Sequence, residues 1–282
     1  MLKSQAQTGI FNHLESSIES MSAILLDDAI VHYEVLGRGK PLIFLHTWIG
    51  SWRYWIPSMQ SASTFHRTYS LDLWGFGDSA KLASRYFIEK QIALLDGFVQ
   101  KMGIRNLSLV GHGLGAILAI YYAADRPTEV ERLMVISYPM GSCSINPRLN
   151  LGPTSQLADW IFGKSSDSKA LKEDTAKTDI QAITTSLTQF GQVNWRQLSL
   201  RVQSSSLWVY GQNDPLVKFP KETEISYLPE MGHFLSFEQS GHFPMLDEPN
   251  KFNRLLADFL AIEPNQNLHE LQIKEEWRRR VR

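Results

Sequence analysis

The chain carries one cysteine, Cys143, in 282 residues. That excludes an internal disulfide framework and any cysteine-rich metal site, and makes a reducing, cytoplasmic compartment the expectation. An excess of charge of either sign is also missing. Twenty-eight Lys and Arg against 29 Asp and Glu leave a formal net charge of −1, so no overall basic field steers the chain to nucleic acid. No apolar run approaches the roughly 20 residues that span a bilayer. The N-terminal MLKSQAQTGIFNHLESS has no continuous apolar core of the signal-peptide kind. Histidines are scattered and H-E-x-x-H is absent, so neither a metal nor a cofactor is expected.

What is present is a globular composition, 43% hydrophobic and 20% charged. Its elements alternate between strand and helix. Ser22–Leu26 and Ala29–Leu36 flank Asp27-Asp28 and read as a hairpin. Pro41–Leu45, Thr68–Leu73, Leu107–Val110, Arg132–Ser137 and Leu207–Tyr210 read as strands, with a further short strand at Ile225–Tyr227. Phe87–Met102 and Phe252–Ile262 have helical spacing. The expected fold class is α/β, a mostly parallel central sheet flanked by helices with antiparallel strands at one edge. Between 140 and 203 the alternation breaks into Gly, Ser and Pro clusters with short helices. This segment reads as an inserted helical cap over the carboxyl ends of the strands. The expected division is an N-terminal extension at 1–22, a core at 23–139 and 204–262, the cap at 140–203 and a polar tail at 263–282.

The sharpest feature is Leu107–Ala124, LSLVGHGLGAILAIYYAA. A strand runs into a tight Gly-His-Gly-Leu-Gly turn and then an apolar helix, which is the setting of the nucleophile elbow G-x-S-x-G. The central position holds Gly113, which has no side chain to attack with. The same residues also satisfy G-x-G-x-x-A, a dinucleotide fingerprint. That motif needs an acidic residue at the end of the following strand, and Tyr138-Pro139-Met140 offers none.

Five markers in order resemble the α/β-hydrolase superfamily over about residues 23–262. His46-Thr-Trp48 resembles its oxyanion loop, with Thr47 where the family usually has glycine. Asp72-Leu-Trp-Gly75-Phe-Gly77-Asp-Ser79 resembles its D-x-x-G-x-G-x-S turn. Gly111–Gly115 stands at the elbow, Tyr210-Gly-Gln-Asn-Asp214-Pro at the acid, and Gly241-His242-Phe-Pro at the histidine. The resemblance implies an α/β-hydrolase fold with an inserted cap. It also implies a triad of Gly113 (at the nucleophile position), Asp214 and His242, in the chain order nucleophile, acid, histidine. Such a triad needs a hydroxyl, an imidazole to take its proton and a carboxylate to hold the imidazole.

His233 repeats the Gly-His-Phe element of His242. His242 is preferred because Pro-Met-Leu-Asp-Glu-Pro follows it into the closing helix. His46 and His112 are expected to be structural. The N–H groups of Trp48 and Leu114 are the expected oxyanion hole. Trp52, Trp55, Trp74 and Phe243 are expected to line an aromatic pocket, and Trp160, Phe162, Phe190 and Trp195 in the cap to close it.

The resemblance implies hydrolysis of an ester-like or other carboxyl bond in a small, largely apolar substrate. Gly113 leaves three readings open. The chain is a hydrolase-family protein with serine-type acyl transfer disabled and a working Asp-His pair; or a non-catalytic ligand-binding or regulatory pseudoenzyme; or an inactivated variant of an active esterase-like hydrolase. The sequence leads to one more expectation, that Gly113→Ser alone supplies the missing reactivity toward a fluorophosphonate.

Overall fold

A computed structural model describes residues 22–162, 169–263 and 268–273. The expected N-terminal extension therefore lies, but for its last residue, outside the described residues. An eight-stranded sheet forms the centre, in the order β1-β2-β4-β3-β5-β6-β7-β8. The strands are β1 Ala23–Leu26, β2 Ala29–Leu36, β3 Lys40–Leu45, β4 His66–Leu71, β5 Leu107–His112, β6 Val130–Ile136, β7 Ser205–Gly211 and β8 Gly232–Phe237. β1, β2 and β4 pair antiparallel at one edge, and all pairings from β4 through β8 are parallel.

The helices in chain order are α1 Ile56–Ala62, α2 Ile88–Lys101, α3 Leu114–Asp125, α4 Thr154–Phe162, α5 Lys169–Ala176, α6 Ile180–Phe190, α7 Trp195–Leu200, α8 Glu222–Ile225, α9 Pro244–Asp247 and α10 Pro249–Ala261.

Strand β5 is buried along its whole length, which accounts for an uninterrupted apolar run in place of alternation. The helix after it, α3, buries ten of its residues, so it is apolar all round. It packs very close to β3: a Cβ at Gly115 would stand 2.4 Å from the Leu45 carbonyl oxygen, a distance only glycine permits.

The order of strands reverses between β3 and β5. In open α/β sheets such a switch point opens a crevice at the carboxyl ends of the strands. Leu45 pairs with Gly111 there, so the residues just beyond β3 and just beyond β5 are neighbours.

Between β6 and β7 the chain forms α4 to α7, preceded by two short 3-10 turns at Ser142–Ser144 and Pro147–Asn150. This helical segment sits on the loops at the carboxyl edge. The Trp48 indole donates to Ser186 Oγ in α6 at 3.0 Å, and the Arg53 guanidinium pairs with Asp174 in α5 at 3.0 Å. Asp179 N–H donates to the Gly75 carbonyl and its carboxylate accepts from the Tyr86 hydroxyl.

Two expectations need correction. Ile225–Tyr227 is not a strand. Glu224 accepts from the Lys221 N–H at 2.8 Å and closes the single helical turn α8, a local capping bond that overrides a three-residue β pattern. The last strand is instead β8, which carries His233. Part of the expected tail is also packed. Leu268 and Leu271 are buried, and His233 donates to the Leu271 carbonyl at 3.1 Å.

Candidate active site

Four loops at the carboxyl edge converge. Gly113 ends β5 at φ +52 and ψ −107 and serves as N-cap of α3, a backbone that costs a residue with a Cβ on the order of 1–3 kcal/mol. Asp214 follows β7 and His242 follows β8. Their side chains are buried and joined, His242 Nδ1 to Asp214 Oδ2 at 2.8 Å. The other carboxylate oxygen, Oδ1, accepts from the Leu216 and Val217 N–H groups at 2.8 and 3.0 Å. Burial pushes the Asp214 pKa up, but the charge and hydrogen bond of His242, with the Val217 N–H, outweigh it and hold the carboxyl below its usual range. An ionised Asp214 in turn fixes the imidazole with Nδ1 protonated and Nε2 free to accept.

Nε2 has a partner. The Thr47 hydroxyl oxygen lies 3.0 Å from it. The hydroxyl occupies the space that position 113 leaves empty: a Cβ on Gly113 would stand 2.1 Å from Thr47 Oγ1 and 2.9 Å from Thr47 Cβ. With Thr47 placed so, a side chain at 113 fits only if Thr47 or the backbone shifts. Reactivity of Gly113→Ser therefore requires that shift as well as the added hydroxyl. Sequence reasoning treated the two departures separately, threonine where glycine is usual and glycine where serine is usual. The sequence signal was their reciprocity.

Thr47 is held from three sides. Its N–H donates to the Tyr54 hydroxyl at 2.9 Å, and that hydroxyl lies 3.0 Å from His112 Nδ1. Burial pushes the Tyr54 pKa well up, so the phenol stays protonated and donates to His112. Thr47's carbonyl accepts from His46 Nδ1 at 2.7 Å, while His46 Nε2 accepts the Leu73 N–H at 3.0 Å. Burial pushes the pKa of His46 down, and that of His112 well down with help from His242. Both rings are neutral supports. Tyr54 is the residue that sequence reasoning missed here, since nothing local sets it apart from the tryptophans on either side.

The backbone N–H groups of Gly113 and Gly115 are committed to the carbonyls of Ile136 and His46. Those of Trp48 and Leu114 have no acceptor among the described residues.

A cleft of ≈ 780 Å³ reaches His242 from outside, lined by Ile161, Phe162, Asn213, Gln239 and Phe243 among others. Phe162 packs on Phe243 with ring centroids 5.0 Å apart. Of the four aromatic residues expected in a substrate pocket, Phe243 alone lines this cleft. Trp55 is enclosed by Phe44, Tyr54, His112 and Phe252. Trp52 packs on His32 and under Arg53. The Trp74 ring lies under Arg85, and the Trp74 backbone N–H donates to Gln91 Oε1. Each is buried and fills core space beneath the loops.

Among the described residues, His32, Asp72 and Asp78 form a cluster of metal-ligand types. Its atoms are already spent on structure. Asp72 accepts from His32 Nδ1 and from the N–H groups of Trp52 and Asp78, and Asp78 pairs with Lys177. The cluster ties the Gly75–Gly77 turn to β2 and to the helical segment. No helix among the described residues is long and apolar enough to cross a membrane.

Residues 40–164 match the model of the alpha/beta hydrolase fold family. The pimeloyl-[acyl-carrier protein] methyl ester esterase of Vibrio cholerae is 26% identical over 253 residues, covering 81% of this chain and 97% of that protein. The 2-hydroxy-6-oxo-2,4-heptadienoate hydrolase of Pseudomonas putida is 22% identical over 256 residues, 81% of this chain and 91% of that one. Among solved structures, the enol-lactonase from Burkholderia xenovorans superposes with a TM-score of 0.75 at 15% identity, covering 86% of this chain and 100% of that one.

Proposed function

We propose that this chain, which has the α/β-hydrolase fold and whose likenesses support an esterase-like member of that superfamily, hydrolyses a small, largely apolar carboxyl ester. His242 is its general base, Asp214 orients that base, and position 113 supplies no nucleophile. The observation that carries the reading is the buried 2.8 Å bond between His242 and Asp214, with Nε2 3.0 Å from the Thr47 hydroxyl at the end of a cleft. An imidazole held by an ionised carboxylate is the part of a hydrolase that moves protons. The unspent N–H groups of Trp48 and Leu114 supply the charge stabilisation that acyl transfer needs. Ile161, Phe162 and Phe243 give the cleft an apolar wall beside the polar Asn213, Gln239 and Asp247, and that wall supports a substrate with an apolar part. The relatives named as an esterase and as a hydrolase of a carbonyl substrate support the reaction class.

The test is hydrolysis of p-nitrophenyl acetate, butyrate and hexanoate by the purified chain and by His242→Ala. The expected result is turnover that the variant loses by about 10³-fold or more. Binding of the esters with no turnover in either protein would favour the ligand-binding reading instead.

A further inference from the structure

We infer that Thr47 is the nucleophile of this site, its hydroxyl having taken over the place and the hydrogen bond that a side chain at 113 would otherwise hold. The inference rests on the hydrolase reading above and deepens it. An activated hydroxyl is recognised by geometry: it lies within hydrogen-bond reach of a base, and the base is oriented by a third group. Thr47 Oγ1, His242 Nε2, His242 Nδ1 and Asp214 Oδ2 form that line, with links of 3.0 and 2.8 Å. All three side chains are buried, so the line is shielded from competing water.

Three further features fit a reacting hydroxyl better than a space-filling one. The residue's backbone is pinned at both ends, its N–H by Tyr54 and its carbonyl by His46, which fixes where Oγ1 points. The N–H following Thr47 is that of Trp48, which has no acceptor among the described residues. Leu114 N–H, at the amino end of α3, supplies a second donor from across the crevice, where the helix dipole favours developing negative charge.

The chemistry balances without a co-reactant beyond water. Thr47 Oγ1 bonds to the ester carbonyl carbon as its proton passes to His242 Nε2. The tetrahedral oxyanion collapses, the bond to the alcohol oxygen breaks, and the alcohol leaves with the proton from His242. Water then attacks the acyl-threonine, giving a proton to His242. Thr47 Oγ1 leaves the acyl carbon and recovers that proton. Ester and water become acid and alcohol. Thr47 does not line the cleft, which ends on His242 and Phe243. Acylation therefore requires the substrate to pass beyond His242 and Phe243 at the end of the cleft.

The full chain is treated with a fluorophosphonate and its peptides are mapped by mass. Attack forms an oxygen–phosphorus bond and expels fluoride, the hydroxyl proton leaving through His242. The expected result is an adduct on the peptide bearing Thr47, present in wild type and Thr47→Ser and lost in Thr47→Val and His242→Ala. The expected fall in p-nitrophenyl butyrate turnover for Thr47→Val is about 10³-fold or more. Valine keeps the branched shape, so a packing role alone would leave turnover near wild type. Wild-type mapping needs no variant to fold. An adduct on a different residue overturns the inference. So does Thr47→Val turning over at the wild-type rate while His242→Ala is dead, which leaves the hydrolase reading standing with water as the nucleophile. No turnover and no adduct in wild type overturn both.

Discussion

Thr47 Oγ1 sits 3.0 Å from His242 Nε2 and 2.1 Å from the point a Cβ on residue 113 would occupy. The two positions share one volume and one hydrogen bond, and with Thr47 placed so only one of them can hold a hydroxyl.

Gly113→Ser by itself is therefore expected to cost at least ~2 kcal/mol, from positive-φ strain and from overpacking against Thr47. It is expected to show no fluorophosphonate adduct at 113. Adding Thr47→Gly removes the clash. The double variant is expected to regain about 1–3 kcal/mol over the sum of its parts and to label at residue 113. Urea unfolding of the four proteins in the cycle, with adduct mapping, checks both. Purely additive energies would mean that the two positions do not compete.

Tyr54→Phe removes the acceptor of the Thr47 N–H and the donor to His112 in one step. Both partners stay buried. Leaving two buried groups unmatched is expected to cost about 2–4 kcal/mol in chemical denaturation, with turnover falling because Thr47 is no longer pinned. A loss below about 0.5 kcal/mol would show that these bonds contribute nothing net.

Asp214 has a folded-state pKa below its unfolded value. Its contribution to stability is thus present above the unfolded pKa of about 3.9 and is lost as pH falls through the folded value. Asp214→Asn cannot titrate. Wild type is expected to exceed it by about 2 kcal/mol at neutral pH, and the gap to shrink at pH 3 and below. Denaturation at neutral pH and at pH 3 measures it. A gap that does not change with pH would mean the carboxylate is not the ionised partner of His242.

Leu271→Ala tests whether the segment after α10 is part of the fold. Leu271 is buried, and its carbonyl accepts from His233 on the edge strand β8. The truncation is expected to cost about 2 kcal/mol, read from the urea midpoint. No change would mean that the segment is not held on β8.

Much of the fold was legible because its signals are local. The unbroken apolar run of β5, the glycines around 113 and the proline after Asp214 each reflect a constraint on their own few residues, and the order of the five markers put the site loops on one sheet edge. β8 was harder to read. It is a half-buried edge strand, and its Gly-His-Phe-Leu-Ser-Phe does not alternate cleanly. Trp52, Trp55 and Trp74 lie on the loops where expected, but burial beneath a loop and exposure to a cleft look the same in sequence.

By itself the sequence determined the α/β class, the chain order of Asp214 and His242, and the absence of any side chain at 113, because each of these is a property of a residue or of its near neighbours. Only the tertiary structure decided which hydroxyl meets the imidazole. Residues 47 and 242 are separated by 195 positions, and they meet because the loops after β3 and β8 converge at the same carboxyl edge of the sheet. That convergence is set by the packing of the whole sheet, which no local pattern encodes.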